Sequence, residues 1–346
     1  MAPSRSAVTL KDIAERVGVS ISAVSMALAD NPRIGAETKS RVVRAADELG
    51  YVTNAAGRAL RVNRVGAVAL IVPNTSQHVF GHAYFMHVLT GVTEATNQAD
   101  VQLLLSTNPD EMHGEVAYDR VMRAGWVDGA IVTSAAANDP GIRHLVSNGM
   151  PVVLLGRFPE LPDAVSVGID DVAASRAATE HLIVVHERRR LVHLSGPLNH
   201  RSAQDRRDGF LAACQAHGVD PVVIEGDYSE ASGALAAQEV DLVTLDGLVA
   251  ANDEMAFGAM AALAERGVRV PKDVALIGFD DFGLSRVTTP SISTVQVPTI
   301  AMAALATRQL LGLVASKRPA ELRTVLPVEL IARQSCGCQP LTSPSA

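Results

Sequence analysis

Polar side chains that follow short apolar runs are the residues of this chain best placed to bind a small molecule. In open parallel sheets, ligands sit beyond the carboxyl ends of the strands, so these positions are candidates if the runs are strands. An arginine that faces a carboxylate across a cleft holds vicinal hydroxyls well, since both groups offer forked hydrogen bonds. The candidates by position include Asn74, Thr75, Arg157, His200, Ser202, Arg206, Asn252, Asp253, Asp280 and Asp281.

These side chains need a scaffold that gathers strand ends at one edge. Apolar runs rich in β-branched residues alternate with amphipathic helical stretches, which predicts parallel sheets with helices on both faces. There are enough runs for two doubly wound sheets in two lobes. The runs are 65–72, 101–105, 129–133, 152–155, 165–169, 191–194, 222–224, 247–251 and 274–277.

Other interpretations of the same residues remain open. Asp253 or Asp281 fits the cap of a following helix, Arg206 fits a bridge between the lobes, and Phe85 fits the core. Asp280, Asp281 and His200 could also be the acid and base of an enzyme, although nothing in the sequence fixes their spacing.

The N-terminal part of the chain has a different pattern, that of a small helical unit. Thr9 with Asp12 is a capping signature for a first helix, and Gly18 ends this helix as the turn of a helix-turn-helix requires. Ser20 then caps a second helix, and a third helix is predicted over 36–49. The start of such a second helix can enter the major groove of DNA and read base edges.

The predicted base readers are Ile21, Ser22 and Met26. The two apolar side chains could contact thymine methyls, whereas a serine can hydrogen-bond to more than one base. Ile21 also fits the core, because it shares a helical stripe with Val24 and Leu28. The residues expected at phosphates, which position the unit without reading sequence, are Thr9, Ser20, Ser25, Asn31 and Lys39.

The charge distribution agrees with a DNA-binding unit at the N-terminus. Residues 1–64 hold ten Lys/Arg and six Asp/Glu, a net charge of +4, and the whole chain carries −7, so the remainder carries −11. A basic unit on an acidic body directs that unit toward phosphates and keeps the body away from them.

Residues 54–61 predict a short helix that depends on support. Isolated helices below about 12–15 residues are marginal, and Gly57 weakens this one further. The helix is therefore expected to form only with DNA and a second copy of the chain. Leu60 could then wedge between base steps in the minor groove, or it could simply pack on the next domain. The residues of this segment expected at DNA are Asn54, Arg58 and Leu60.

Several classes of protein and site are not indicated by the sequence. It contains no P-loop, no GxGxxG after a strand, no GxSxG and no HExxH, so no cofactor is expected. The N-terminus lacks a signal peptide and no run is long enough for a membrane helix, which predicts a cytoplasmic, nucleoid-associated protein. Cys336 and Cys338 could bind metal or form a strained disulfide, but no Cys/His pair stands nearby in sequence. A loose tail without metal is expected.

The chain resembles the lactose-repressor/galactose-repressor (LacI/GalR) family of bacterial transcription regulators over nearly all of residues 8–335. The segments that carry the resemblance are TLKDIAERVGVS, SAVSMAL, AADELGYV, NAAGRALR, VDGAIVTS, GPLNHRSAQDRRDGF, GDYSEASG, LVAANDEMAFGAM, VPKDVALIGFDD and TTPSISTV.

The resemblance implies an architecture and a set of contacts. It implies a helix-turn-helix domain at 1–53 and a hinge at 54–64, with Leu60 as a minor-groove wedge. The core at 65–338 is periplasmic-binding-protein-like, with crossings between lobes near 165, 292 and 324. The N-lobe then holds about 65–165 and 292–324, and the C-lobe about 166–291 and 325–338. From its Pro/Ser-rich composition, the tail 339–346 is expected to be disordered. Effector contacts are implied at Arg206, Asn252 and Asp280, and less uniformly at Tyr84, Phe85, Arg157, His200 and Ser202.

The function expected from residues and resemblance together is a homodimeric repressor that binds a near-palindromic operator. A small molecule between the lobes, a carbohydrate by preference, controls its affinity for DNA. The alternatives are a regulator that responds to a nucleobase or nucleoside, a solute-binding protein of a sugar transport system, and an enzyme that uses the cleft.

Overall fold

A computed structural model describes residues 8–28, 31–51, 65–110 and 113–338 of the 346-residue chain. The chain forms two compact units, Met1–Val65 and Gly66–Ala346, which are described separately below.

The first unit is a three-helix bundle with a small core. Ile13, Val24 and Val42, one from each helix, are completely buried against one another. Gly18 and Gly50 end the first and third helices with φ of 74° and 66°, the left-handed conformation that glycine adopts without strain. The predicted helix-turn-helix is confirmed, with helices α1 (Leu10–Val17), α2 (Ile21–Leu28) and α3 (Ala36–Leu49).

The second unit contains short strands and amphipathic helices in alternation. Its described strands are β1 (Ala67–Thr75), β2 (Gln102–Asn108), β3 (Ala130–Val132), β4 (Val152–Leu155), β5 (Val165–Gly168), β6 (Leu191–Ser195), β7 (Val222–Glu225), β8 (Gly247–Ala250), β9 (Ala275–Asp280), β10 (Ser293–Gln296), β11 (Arg323–Val325) and β12 (Glu329–Ile331).

The helices of this unit lie between the strands in the chain. They are α4 (Ser76–Gly81), α5 (Ala83–Gln98), α6 (Val116–Ala124), α7 (Pro140–Ser147), α8 (Asp171–Glu180), α9 (Arg201–His217), α10 (Glu230–Glu239), α11 (Asp253–Glu265), α12 (Leu284–Val287) and α13 (Thr299–Val314). A π-helical turn, His181–Val185, extends α8, and 3-10 turns cover Leu242–Thr244 and Gln334–Cys336. In the described part of the chain, each helix is too short or too polar to cross a lipid bilayer.

The strands form two six-stranded sheets, one in each lobe. The first has the order β11-β5-β4-β3-β1-β2, and the second has the order β12-β10-β9-β8-β6-β7. Neighbouring strands run parallel, except that β12 is antiparallel to β10. The predicted architecture of two parallel-sheet lobes is therefore confirmed, with one antiparallel edge strand.

Both faces of each sheet are buried, which explains why the strands appear in the sequence as continuous apolar runs. In β1, Leu70 faces a cluster that includes Val88 of α5, whereas the next residue, Ile71, faces a cluster that includes Val121 of α6. Successive side chains of a strand point to opposite faces, so both must be apolar when helices cover both sides.

Glycines set the closest helix contacts of the second lobe. A Cβ atom on Gly258 of α11 would lie 2.0 Å from the carbonyl oxygen of Glu230 in α10. A Cβ on Gly209 of α9 would lie 2.3 Å from the carbonyl oxygen of Val172 in α8. These helix pairs can pack this closely only because the two positions lack side chains.

The chain passes between the lobes three times, somewhat later than the sequence analysis expected. It leaves the first sheet after β5, returns to the first lobe between β10 and α13, and leaves again between β11 and β12. The assignment of 292–296 to the N-lobe was wrong, because β10 pairs with β9 of the second sheet. Likewise 166–168 belong to the first lobe, because β5 pairs with β4.

The expectation of a loose tail at Cys336 and Cys338 was also wrong. Cys336 is completely buried and Cys338 is half-buried. The preceding Ser335 anchors this segment, because its hydroxyl donates to the Leu276 carbonyl at 2.6 Å and accepts from the Ser293 N–H at 2.8 Å. The tail 339–346 lies outside the described residues.

Candidate functional site

The start of α2 presents an exposed surface with the composition expected of a DNA-reading face. Ile21 is 50% exposed and Ser22 is exposed, whereas Val24 is completely buried. The alternative that Ile21 belongs to the core is therefore wrong, because the turn before α2 directs this side chain outward. Met26 is half-buried on the same helix.

The small polar residues of this unit form caps and turns. The Thr9 N–H donates to the Asp12 carboxylate at 2.7 Å, and the Ser20 hydroxyl accepts from the Ala23 N–H at 3.2 Å. The Asn31 side chain accepts from the Arg33 N–H at 3.0 Å. Thr9 and Ser20 are exposed beside the helix starts, whereas Ser25, Asn31 and Lys39 are half-buried. Contact with DNA phosphates stays a prediction for all five, and Asn54, Arg58 and Leu60 lie outside the described residues.

A cleft between the two lobes of the second unit gathers the polar residues named from the sequence. Tyr84 and Phe85 reach it from α5, Arg157 from the end of β4, and Asp280 from the end of β9. Ends of parallel strands meet here because both sheets direct their carboxyl edges toward the cleft. All eight predicted effector residues line it: Tyr84, Phe85, Arg157, His200, Ser202, Arg206, Asn252 and Asp280.

Arg206 is the central cation of the cleft. Its Nε donates to Asp171 Oδ1 at 2.8 Å, another of its nitrogens lies 3.5 Å from Asp280 Oδ1, and a third bond reaches the Ala251 carbonyl. The guanidinium lies 3.7 Å from the centre of the Phe279 ring. Burial alone would lower the pKa of this guanidinium, but the two carboxylates outweigh it and raise that pKa.

Asp280 is held in an unusual conformation and environment. Its φ is 105°, a region that non-glycine residues rarely adopt, and the side chain is 9% exposed. Burial raises the pKa of its carboxyl to about 6, although Arg206 acts in the opposite direction and Glu254 adds to the rise. Backbone strain of this kind is typical of functional sites, where surrounding contacts hold the residue in place.

Asp281, the next residue, faces away from the cleft and is structural. Its carboxylate accepts from the Ser285 hydroxyl at 2.7 Å, from Arg286 at 2.9 Å and from Arg333 at 2.8 Å. These partners occupy the Asp281 carboxylate, so of the three residues considered as the acid and base of an enzyme, Asp281 is held in a structural role.

Asn252 lines the cleft but also caps a helix. Its side-chain oxygen accepts from the Met255 N–H at 2.9 Å, and its Nδ2 donates to the Tyr228 carbonyl and to Glu254, each at 2.8 Å. Glu254 in turn approaches His82 Nδ1 at 3.2 Å. Because His82 belongs to the first lobe and Glu254 to the second, this chain of contacts joins the lobes.

Further ion pairs close the cleft on its other side. Arg157 of the first lobe forms a bidentate pair with Asp205 of α9, and Arg201 of α9 lies 3.4 Å from Glu160 of the first lobe. Nearby, the Ala137 N–H donates to the Asn199 carbonyl at 2.7 Å. The bridging role considered for Arg206 thus belongs to Arg157 and Arg201.

Burial disfavours the charged form of two imidazoles in the cleft, those of His78 and His200. Burial, together with the neighbouring His82, lowers the pKa of His78 to about 4, and burial lowers the pKa of His200. Arg157, Arg201 and Arg206 supply positive charge in the cleft.

Some lining residues were missed from the sequence. Asp171 lies three residues after β5 and could have been found by the rule applied to the other strands. Tyr228 likewise lies three residues after β7, in a loop where its φ is 71° and its hydroxyl lies 3.1 Å from that of Ser202. Further lining residues that were not predicted are His78, His82, Asp205 and Glu254.

Comparison with known proteins agrees with this two-part arrangement. Residues 9–54 match the family model described as bacterial regulatory proteins, lacI family, and residues 179–336 match a periplasmic binding protein-like domain. The HTH-type transcriptional regulator CelR of Thermobifida fusca is 31% identical over 334 residues, covering 94% of this chain and 98% of the relative. The ribose operon repressor of Bacillus subtilis is 30% identical over 330 residues, again covering 94% and 98%.

Solved structures show the same fold. A CelR–cellobiose complex is 29% identical with a TM-score of 0.72, covering 95% of this chain and 99% of that one. The lac repressor dimer bound to operator and the anti-inducer ONPF has a TM-score of 0.84 at 24% identity, covering 96% and 99%. With its helix-turn-helix, its two-lobed body and relatives that match both, this chain belongs to the LacI family of bacterial regulatory proteins.

Proposed function

We propose that this chain is a transcriptional repressor whose affinity for operator DNA is set by a neutral sugar bound in the cleft. The observation that carries the proposal is the pairing of two sites in one chain. One is the exposed start of α2, with Ile21 and Ser22, and the other is the cleft built around Arg206. The activity that we infer is binding without catalysis, and the compartment that we infer is the cytoplasm, which contains the DNA.

A neutral ligand is favoured because the arginines that line the cleft are already paired. Arg157 is bonded to Asp205, Arg201 to Glu160, and Arg206 to Asp171. A phosphate or carboxylate ligand would have to displace one of these carboxylates, whereas hydroxyls can share the forked donors and acceptors. A sugar phosphate bound at Arg157 is therefore disfavoured.

The residues that line the cleft also suit a sugar ring, because they supply both hydroxyls and apolar surface. Tyr84, Ser202 and Tyr228 supply hydroxyls, and Phe85 and Phe158 supply apolar surface. Relatives point to the same class of ligand, since one similar regulator was solved with cellobiose and others are ribose operon repressors.

The mechanism proposed is a change in lobe closure that is passed to the DNA-binding unit. A sugar that contacts both lobes favours one closure, and two chains in a dimer would then hold their reading helices at a different spacing on a near-palindromic operator. Such coupling is typically about 1–3 kcal/mol and must be reciprocal. Residues 54–64 would form the hinge, with Asn54 and Arg58 at the DNA backbone and Leu60 in the minor groove.

The test begins with ligand identification. The purified chain is screened by thermal shift against cellobiose, ribose, other neutral sugars, sugar phosphates and nucleosides, because a ligand that binds only the folded state raises the melting temperature. A hit is then titrated into the complex with DNA from upstream of the chain's own gene. We expect a neutral sugar to change the apparent Kd for DNA by about 5- to 150-fold.

One variant and the ligand titration test the two halves of the proposal separately. Leu60→Ala should weaken specific DNA binding far more than non-specific binding and leave the sugar-induced thermal shift unchanged. Equal losses on both DNAs would reject the wedge. A ligand that binds the cleft yet leaves the affinity for DNA unaltered would contradict the proposed coupling between the two sites. A nucleoside as the only ligand found would contradict the proposal that the ligand is a sugar.

A further inference from the structure

Two histidines and two cysteines meet in the second lobe, outside the function proposed above. His181 begins the π-helical turn after α8, and His186 follows that turn directly. Cys336 ends the last 3-10 turn, and Cys338 lies two residues after it. One ligand atom from each residue lies within 4.8 Å of the other three. The four residues are called the Cys2His2 cluster below.

The spacing of these atoms fits a tetrahedral metal ion. The two Nε2 atoms are 3.2 Å apart, and Cys338 Sγ lies 3.6 Å from that of His181 and 3.4 Å from that of His186. Zinc with Zn–N bonds of about 2.0–2.1 Å and Zn–S bonds of about 2.3 Å separates two nitrogens by about 3.3 Å and a nitrogen from a sulfur by about 3.5 Å. These three separations match those that one zinc ion would impose, and the fourth ligand atom, Cys336 Sγ, lies within 4.8 Å of the other three.

The local backbone is shaped so that the ligands can converge. Histidines five apart point to different sides of an α-helix, but the wider π turn brings His181 and His186 together, with ring centres 4.9 Å apart. Gly337 has a φ of 109°, and a Cβ there would lie 3.1 Å from His186 Nδ1. A side chain between the two cysteines would thus crowd the histidine that completes the cluster.

The ligand types select the metal. Thiolate and imidazole in a tetrahedral S2N2 arrangement suit zinc, whereas the hard cations Ca²⁺ and Mg²⁺ prefer oxygen. With four protein ligands no position is left for a substrate, which is typical of a structural site. We propose that the Cys2His2 cluster binds one Zn²⁺ ion that fastens the C-terminal segment to the end of α8.

The segment that the metal would fasten is connected to the cleft. It follows β12, and Arg333 within it donates to Asp281 Oδ1 at 2.8 Å, next to the cleft residue Asp280. Zinc should therefore stabilise the second lobe at the point where the chain has just crossed from the first.

The experiment measures metal content and coordination in the full chain. Protein reduced with a phosphine is loaded with Zn²⁺, exchanged into metal-free buffer and analysed by plasma mass spectrometry; one equivalent of zinc per chain is expected. Replacement by Co²⁺ should give the intense visible bands of a tetrahedral site and a sulfur-to-cobalt charge-transfer band. Cys338→Ser and His186→Asn should each weaken zinc affinity by more than about 100-fold, since even the loss of an outer partner costs 10–100-fold.

Two control variants test whether the loss of a thiol or an imidazole outside the Cys2His2 cluster affects zinc binding. Cys214→Ala removes a completely buried thiol in α9, and His217→Asn removes a histidine at the end of the same helix. Both should retain one equivalent of zinc. Binding that survives in Cys338→Ser, no zinc in the reduced parent chain, or a cobalt spectrum without the charge-transfer band would overturn the proposal. A Cys336–Cys338 disulfide that forms while zinc is present would do the same.

Discussion

Replacing Arg206 by methionine tests whether the centre of the cleft is an electrostatic assembly. The substitution keeps much of the side-chain length but removes the guanidinium that lies 2.8 Å from Asp171 and 3.5 Å from Asp280. All three residues are no more than 9% exposed, so two carboxylates would stay buried without a cation. Removing one partner from a buried pair costs about 3–5 kcal/mol, and we expect the free energy of unfolding to fall by that amount at pH 8.

The same reasoning predicts that the loss depends on pH. The pKa of Asp280 is raised to about 6 in the folded chain, so the folded state is favoured at low pH and this contribution is lost as the pH rises through about 6. Without Arg206, whose charge lowers this pKa, the carboxyl should hold its proton to higher pH. The destabilisation should therefore shrink between pH 8 and pH 5 by about 1.4 kcal/mol for each unit of pKa that the arginine had suppressed.

The assay is urea unfolding at both pH values, followed by far-ultraviolet circular dichroism. Arg176→Met is the matched control, because Arg176 is half-exposed and pairs with Glu180 on the helix surface, where such pairs contribute about 1 kcal/mol or less. The double variant Arg206→Met with Asp280→Asn should recover part of the stability. A loss below about 1 kcal/mol, or one of equal size at both pH values, would refute the account of Arg206 as the cation that buried carboxylates require.

Three further outcomes follow from other parts of the chain. Sugar affinity should fall as the pH drops from 7 to 5, because at pH 5 about nine-tenths of Asp280 carboxyls carry a proton, and Asp280→Asn should remove that dependence in isothermal titration. Gly258→Ala should lower the free energy of unfolding by about 1–3 kcal/mol, since its Cβ would lie 2.0 Å from the Glu230 carbonyl; an unchanged urea midpoint would contradict the packing. Ile21→Ala should weaken specific DNA binding by roughly 1 kcal/mol in a gel shift and spare non-specific binding; equal losses would exclude base contact.

Much of the fold could be predicted because it depends on local patterns. In β1 both Leu70 and Ile71 are apolar since each face of the sheet is covered, and the third helix covers Ala36–Leu49, as its apolar periodicity predicts. The short strand β10 was assigned to the wrong lobe. It carries no long apolar run, so only its pairing with β9 shows where it belongs.

The sequence predicted which residues line the candidate site better than it predicted the contacts that those residues make. The rule that ligands lie beyond strand ends brought Arg157, Arg206 and Asp280 into one cleft. It could not tell that Arg157 is held by Asp205, because those residues come from different lobes. Nor could the rule show that the Asn252 side-chain amide caps a helix and donates a hydrogen bond to the Tyr228 carbonyl.

Spacing and composition alone determined that this chain has a basic helical unit ahead of an acidic body of parallel sheets, because helix caps and apolar periodicity act between near neighbours. Tertiary structure alone decided which charges neutralise one another. It also decided that Cys338 meets His181 and His186, a set of residues separated by most of the second lobe in sequence. Such meetings depend on how whole elements pack, and no local pattern of residues records that.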